Sequence, residues 1–329
     1  MYERVMAKDR TIHIDERGAG QTLAAFLRAV MKESSWNEIK KLIAQRHVQI
    51  DGNLCLDDSR RLKGGEVVKI YAIQRAPVPS ASSVRIVHRD PHLVIVDKPA
   101  GMTTLRHEQE KNWSARRKQI QPTLEESLES LLMPPKTRRS SRERSPIQIR
   151  PVHRLDRDTS GLMVFALTPQ TERDLIALFK AHDIDREYRA VVHGHPKKQT
   201  IETWIARDRG DGLRGSVEKG SREDAQQAIT HVEPIQQLGP YSIILCRLET
   251  GRTHQIRIHL SELGHMLCGE KIYTHRLGEK PKRDTSQAPR QSLHAAVIGF
   301  VHPNSGKSIR FESGWPDEIE SWLTTLQKI

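Results

Sequence analysis

Apolar positions recur at helical spacing in two early stretches, Leu23, Phe26, Leu27 and Val30 and then Trp36, Ile39 and Ile43, which predicts two short helices. Ser35 followed three residues later by Glu38 forms a capping box. The hydroxyl and the carboxylate each satisfy a free amide, so the second helix starts about Trp36 and runs to near Arg46. "HVQIDG" and "GGEVVKIYA" then read as short strands separated by the turn pairs Asp51-Gly52 and Gly64-Gly65. These elements make one compact unit over 11–73. "QRAPVPSASS", 74–83, has no apolar period and is Pro- and Ser-rich, the composition of a linker.

A second domain is expected over 84–329. Its opening "VRIVHRDPHLVIVDKPAGM" predicts two strands around an Asp90-Pro91 turn, the second too apolar to be an exposed edge. The pattern breaks over 103–149. There "KNWSARRKQ" and "KTRRSSRERSP" are basic and Ser-rich, too polar to bury a core, and read as a partly disordered insertion. Between them Thr123 and Glu126 form another capping box ahead of Leu128, Leu131 and Leu132. "REYRAVVHGH" alternates as a strand, with Tyr188, Ala190 and Val192 on one side. "SIILCRLETGRTHQIRIHL" reads as strand, Thr250-Gly251 turn and helix.

Composition narrows the partner. Fifty-three Lys and Arg against 41 Asp and Glu give a formal charge of +12, which suits a polyanion, nucleic acid first. No stretch approaches the roughly 20 apolar residues of a membrane span and the N-terminus lacks a signal peptide's apolar core, so a cytoplasmic protein without membrane attachment is expected. Cys55, Cys246 and Cys268 lie far apart with no Cys-x-x-Cys, excluding a disulfide framework or zinc knuckle. His254, His259 and His265 lack metal-ligand spacing and an adjoining acidic cluster, so solvated or hydrogen-bonded histidine is expected there.

The densest chemistry is "PVHRLDRDTSGLMVF", where Asp156 and Asp158 stand among Arg154 and Arg157 just before an apolar strand. Asp-x-Asp-Thr fits a magnesium-dependent phosphotransfer loop, an acid and base pair, a single nucleophile with a bystander, or a polar turn. The phosphotransferase is disfavoured, because "RPVHRL" is a poorly apolar lead-in and no second acidic pair follows to complete a metal site. An RNA-binding ribosome-assembly protein without catalysis fits the charge equally well.

"VDKPAGM", "HRLDRDTSGL", "REYRAVVHG", "ETGRTHQIRIHL" and "SLHAAVIGFVHP", in this order across 84–315, resemble the RluA family of RNA pseudouridine synthases. The front unit resembles the small RNA-binding domain of ribosomal protein S4, the alpha-L motif. The resemblance implies an α+β fold. A small alpha-L domain precedes a synthase domain with a mixed, largely antiparallel sheet and a central cleft. It also implies a role for each motif residue. Asp156 is the nucleophile or ring-opening partner, Tyr188 stacks on the target base, Arg257 pairs with Asp156, and Leu293 lines an apolar floor. Arg154, Arg252 and His254 join the substrate site, with Asp158 shaping the loop. Lys40, Lys41 and Arg46, off the apolar stripe of the front unit's second helix, would meet RNA phosphates.

The implied substrate is RNA, ribosomal RNA ahead of transfer RNA, handled by a monomer. The reaction is redox-neutral and calls for no cofactor or metal. Two departures stand out. "TTLRHEQEKNWSARRKQ" replaces the usual stretch after "KPAGM", and "CGEKIY" puts Glu270 where an aspartate is more usual.

Overall fold

The computed structural model describes residues 9–50, 53–71, 79–106, 110, 112–113, 115, 118, 121–132 and 147–326. Asp51-Gly52, residues 74–78 of the expected linker and the basic segment 136–146 lie outside them, as does most of 111–119. The chain divides into two compact units, Met1–Val78 with Glu108–Gln121, and Pro79–His107 with Pro122–Ile329.

In the first unit, strands β1 (Arg10–His13), β2 (Val48–Ile50), β3 (Asn53–Leu54) and β4 (Val67–Ile70) form an antiparallel sheet in the order β1-β4-β2-β3. It packs with helices α1 (Leu23–Val30) and α2 (Trp36–Ala44) around one core. The capping box is formed: the Ser35 amide donates to the Glu38 carboxylate at 2.7 Å, and the Glu38 amide donates to Ser35 Oγ at 3.2 Å. Two expected core positions are exposed instead, Val30 and Trp36. The buried stripe is completed by Ala24 and Leu42, whose small or central positions the 3.6-residue spacing also allows.

The second unit is built on an eleven-stranded mixed sheet. Its strands are β5 (Arg85–Arg89), β6 (Leu93–Lys98), β7 (Arg150–Pro151), β8 (Ser160–Ala166), β9 (Asp185–His193), β10 (Gln199–Ala206), β11 (Gly215–Val217), β12 (Gln226–Leu238), β13 (Tyr241–Leu248), β14 (Leu293–Val301) and β15 (Ser308–Glu312). The main path runs β11-β10-β12-β13-β9-β14-β8-β6-β5, with β15 on β14 and β7 on β8. Among the described residues only β14 and β8 pair in parallel. The end of the expected linker is a single 3-10 turn, Ala81–Ser83.

Helices α3 (Leu124–Leu132), α4 (Pro169–Ala181), α5 (Gln255–Glu262) and α6 (Asp317–Leu326) cover the sheet. In α3 the Thr123–Glu126 capping box is present. Its buried face is Leu124, Leu128 and Leu132 at four-residue spacing, whereas Leu131 turns outward. Strand β9 sits mid-sheet with both faces covered, so Val191 is as buried as Tyr188 and its neighbours of alternating register.

Every residue of β8 is buried. Gly161, with φ +119°, lies where β8 meets β14, and a Cβ there would overlap the Ala295 carbonyl. Glycine is therefore what lets the strand that follows the Asp156 loop lie directly against β14.

Candidate active site

Asp156 lies in the loop between β7 and β8, and that loop is clamped from both sides. On one side the turn after β6 supplies three contacts. The Lys98 ammonium donates to the carbonyls of Pro99, Met102 and Arg157 at 2.9–3.0 Å. The Gly101 amide donates to Arg157 O at 2.8 Å. The Thr104 hydroxyl donates to Leu155 O at 2.9 Å and accepts from the Leu155 amide at 3.2 Å. On the other side Arg290 Nη1 donates to Asp158 O at 3.2 Å, and the Gln291 amide group donates to Thr159 Oγ1 at 2.8 Å. The stretch "TTLRHEQ", noted as a family departure, thus still supplies a loop anchor through Thr104.

Lys98 is fully buried, and burial pushes its pKa down to about 7. Its three carbonyl partners saturate the three N–H bonds of the charged form. Sequence reading passed over this residue. Its signal was a lysine ending the apolar run "LVIVDK" just before a Pro-Ala-Gly turn, a place where a charge has to find internal partners.

Helix α5 brings Arg257 to the carboxylate. Arg257 Nη1 donates to Asp156 Oδ2 at 3.3 Å. Glu270 grips the rest of the guanidinium, accepting from Nε at 2.8 Å and from Nη2 at 2.7 Å. Glu270 Oε1 also accepts backbone amides of Lys271 and Ile272. Burial works against both charges. Even so, the pair holds the Glu270 carboxyl below its usual range and keeps Arg257 firmly protonated. Glu270 therefore does the anchoring work at the position where an aspartate was expected. One N–H pair of Arg257 is left to face Asp156.

The α5 entry is shaped by Gln255, also missed in the sequence. Its carbonyl oxygen accepts from the Arg252 amide and the Thr250 hydroxyl, and its NH₂ donates to Ile229 O and Thr230 Oγ1. That network sets the 250–255 turn onto β12. His254, in left-handed conformation (φ 62°), places Nδ1 2.7 Å from the Tyr273 hydroxyl and Nε2 3.8 Å from Asp156 Oδ1. Burial lowers the His254 pKa. Tyr273 also lies against the Arg257 guanidinium, 5.1 Å from ring centre to guanidinium carbon.

Of these groups Asp156, His254, Gln255 and Arg257 face a cleft of about 510 Å³ bordered by the central strands β13, β9 and β14. Asp156, Tyr188, Arg257, Arg154, Arg252, His254 and Leu293 all line it. Tyr188 and Leu293 are buried in its wall, Arg154 and Arg252 exposed at its rim. Burial, with the nearby charge of Asp156 adding to it, raises the Tyr188 pKa, so the phenol stays protonated. Asp158 does not line the cleft; its carboxylate pairs with Arg157 at 3.2 Å, while its backbone carbonyl holds Arg290. Lys40 and Lys41 on α2, and Arg46 just after it, belong to the other compact unit.

Among the described residues no cluster of three or more His, Cys, Asp or Glu could hold a metal ion. His259 and His265 are hydrogen-bonded to threonines and a backbone carbonyl. No helix of the described residues is long and apolar enough to cross a membrane.

The family profile described as RNA pseudouridylate synthase matches residues 92–262, and the S4 domain profile matches residues 21–68. A ribosomal large subunit pseudouridine synthase D of Zymomonas mobilis is 32% identical over 317 residues, covering 94% of this chain and 95% of its own. The chain belongs to the RNA pseudouridylate synthase family.

Another synthase D, from Neisseria meningitidis, is 33% identical and spans 94% of this chain and 79% of its own. Two human proteins, RNA pseudouridylate synthase domain containing 1 and 4, share the fold with TM-scores of 0.53. They are 23% and 19% identical and cover 73% and 74% of this chain, and 87% and 93% of their own. The synthase domain carries the cleft, and the chain is an isomerase of the pseudouridine synthase type preceded by an S4 domain. The phosphotransferase and the non-catalytic assembly protein find no support.

Proposed function

We propose that the chain converts uridine to pseudouridine in large-subunit ribosomal RNA, with Asp156 acting at the ribose, Arg257 as its cation, and Tyr188 and Leu293 bounding the space for the base. The observation that carries this is the buried, Glu270-held guanidinium of Arg257 presenting one donor to Asp156 inside the cleft. The two relatives above that span most of this chain are named for the ribosomal large subunit, which favours that RNA over transfer RNA.

The reaction exchanges a nitrogen–ribose bond for a carbon–ribose bond. N1 of the ring leaves C1′, the ring turns, C5 bonds to C1′, and the C5 proton is lost while N1 gains one. Asp156 serves either as the nucleophile at C1′ or as the base that takes the C2′ proton. Both roles need an ionised carboxylate with an adjacent cation. Buried Tyr188 and Leu293 supply an apolar wall within which a detached ring turns without exchanging into solvent. The target must leave its helix, at roughly a few kcal/mol.

The direct test maps pseudouridines by chemical labelling in RNA from cells with and without the gene, then repeats the conversion with purified protein on a large-subunit transcript. A site lost with the gene and restored in vitro supports the proposal. Loss of a transfer RNA site alone would replace the substrate. Because no step calls for a Lewis acid, turnover should persist in excess EDTA once the RNA is folded. Loss of activity that only added magnesium at the protein restores would contradict this.

The front unit supplies affinity rather than chemistry in this scheme. The Lys40 side chain is 60% exposed, with Asp58 only loosely paired at 3.9 Å. Replacing Lys40, Lys41 and Arg46 together by Gln should weaken RNA binding and lower the slope of log K against log salt by about two. An unchanged slope would remove these residues from the interface.

A further inference from the structure

The cleft extends past the uridine end. Beyond Tyr188 it continues between the C-terminal turn of α4 and residues 248–252, and Arg186 is built into that extension. Arg186 and Tyr188 are two apart on β9, so they share a face about 7 Å apart at a strand's rise of roughly 3.4 Å per residue.

The Arg186 guanidinium is fixed in place. Its Nη2 donates to the carbonyls of Leu248 and Glu249 at 3.3 and 3.1 Å. Its carbon lies 5.3 Å from the centre of the Phe179 ring, and that ring packs at 4.7 Å on His153. His153 Nε2 accepts from the Val164 amide, and burial, with Arg186 adding to it, lowers the pKa of His153 to about 3. The imidazole is therefore a neutral packing plate. Gly251 keeps the opposite side open, since a Cβ there would come within 3.2 Å of Arg186 Nη1. Arg186 Nε is buried without a hydrogen-bond partner among the described residues.

Exposed Lys180 and His182 line this end, and exposed Arg154 and Arg252 line the same cleft. Asp156 stands at the uridine end of the cleft, and the other carboxylate lining it among the described residues, Glu249, is engaged by His231 at 2.8 Å. Lys180 also offsets the negative end of α4. A single pyrimidine beside Asp156 and Tyr188 leaves this second end unfilled.

We propose that it is a subsite for the phosphodiester of a nucleotide flanking the target uridine, with Arg186 as its fixed cation and Lys180 as its outer one. This deepens the functional reading above and rests on it. A guanidinium already immobilised by two carbonyls and an aromatic ring loses little further freedom on meeting a phosphate, and its Nη1, which those carbonyls do not engage, supplies the charge-assisted donor. The subsite fixes the register of the RNA strand, so that the uridine rather than a neighbour is held at Asp156.

The test uses a synthetic RNA hairpin carrying the uridine mapped above, with an uncharged methylphosphonate placed in turn at each phosphate on its 5′ and 3′ sides. With the full chain, one such replacement should raise KM about tenfold or more, the scale of one charge-assisted contact. In Arg186→Gln, KM should rise by a similar factor and the same methylphosphonate should add nothing further. Arg186→Lys should recover part of the loss. Lys180→Gln, a change at an exposed side chain, should raise KM by a smaller factor and weaken the same coupling.

The subsite is overturned if the effects of protein and RNA changes multiply independently at every phosphate. It is also overturned if Arg186→Gln lowers the rate at saturating RNA with KM unchanged, the mark of a structural role. The normal protein forming pseudouridine without any such coupling would sink the subsite alone. Absence of pseudouridine from every RNA with that protein would sink the functional reading and the subsite with it.

Discussion

Asp156→Asn is expected to lower single-turnover pseudouridine formation by on the order of 10⁴-fold or more, with RNA affinity nearly unchanged. The amide keeps the size of the carboxylate and can still accept from Arg257 Nη1, so the clamped loop has no reason to move. What disappears is the charge needed at the ribose. The control lies two residues away in the same loop. Asp158 faces Arg157 rather than the cleft, and its structural contribution to the loop is made by its backbone carbonyl, which any residue provides. Asp158→Asn should therefore cost at most ~1 kcal/mol of stability and retain most of the turnover. Single-turnover assays beside filter binding for both variants check the contrast. Equal losses would return the pair to a shared role, and full activity of Asp156→Asn would end its assignment. Arg257 is a poorer probe. Its removal strands the buried Glu270 carboxylate, a destabilisation of roughly 3–5 kcal/mol that would confound any kinetic effect.

The contrast between the two aspartates also marks what a linear sequence can convey. Local chemistry was legible. The Ser35–Glu38 and Thr123–Glu126 boxes each act within four residues, and both helices start where those pairs put them. The motif order carried the family, hence the central cleft and the convergence of Asp156, Tyr188, Arg257 and Leu293 from four separate segments. Helix faces were read less well. A stripe of apolar letters does not say which member sits at its edge, and Val30, Trp36 and Leu131 all proved exposed. Least legible were the groups that hold the site by bonding to backbone. Lys98, Thr104 and Arg290 reach carbonyls 51 to 132 positions away, and a carbonyl has no letter of its own. Gln255 is similar, since its four bonds arise only once β12 lies beside the 250–255 turn.

Lys98→Met puts that hidden clamp to the test. Methionine fills a similar volume but leaves the Pro99 and Met102 carbonyls without the donor they had, while Arg157 O keeps the Gly101 amide. One buried and one part-buried acceptor without their donor should cost about 1–3 kcal/mol, lowering Tm by roughly 3–10 °C. With one of the three anchors on that side gone, turnover should fall by about 10²-fold through misplacement of Asp156, although no reacting group has been touched. The pH dependence discriminates further. In the folded chain burial brings the Lys98 pKa to about 7, against an ordinary 10.5 when unfolded. Between those values the unfolded chain binds a proton that the folded chain has released, so the stability contributed by Lys98 rises with pH, by about 1.4 kcal/mol per unit. Below pH 7 both states are protonated and its contribution is flat. The Tm gap between the normal protein and Lys98→Met should accordingly widen from pH 7 to 9 and stay constant from 6 to 7. A gap constant across the whole range would mean that three carbonyl acceptors hold the ammonium charged despite its burial. The clamp would then be ionic at every pH at which the enzyme works.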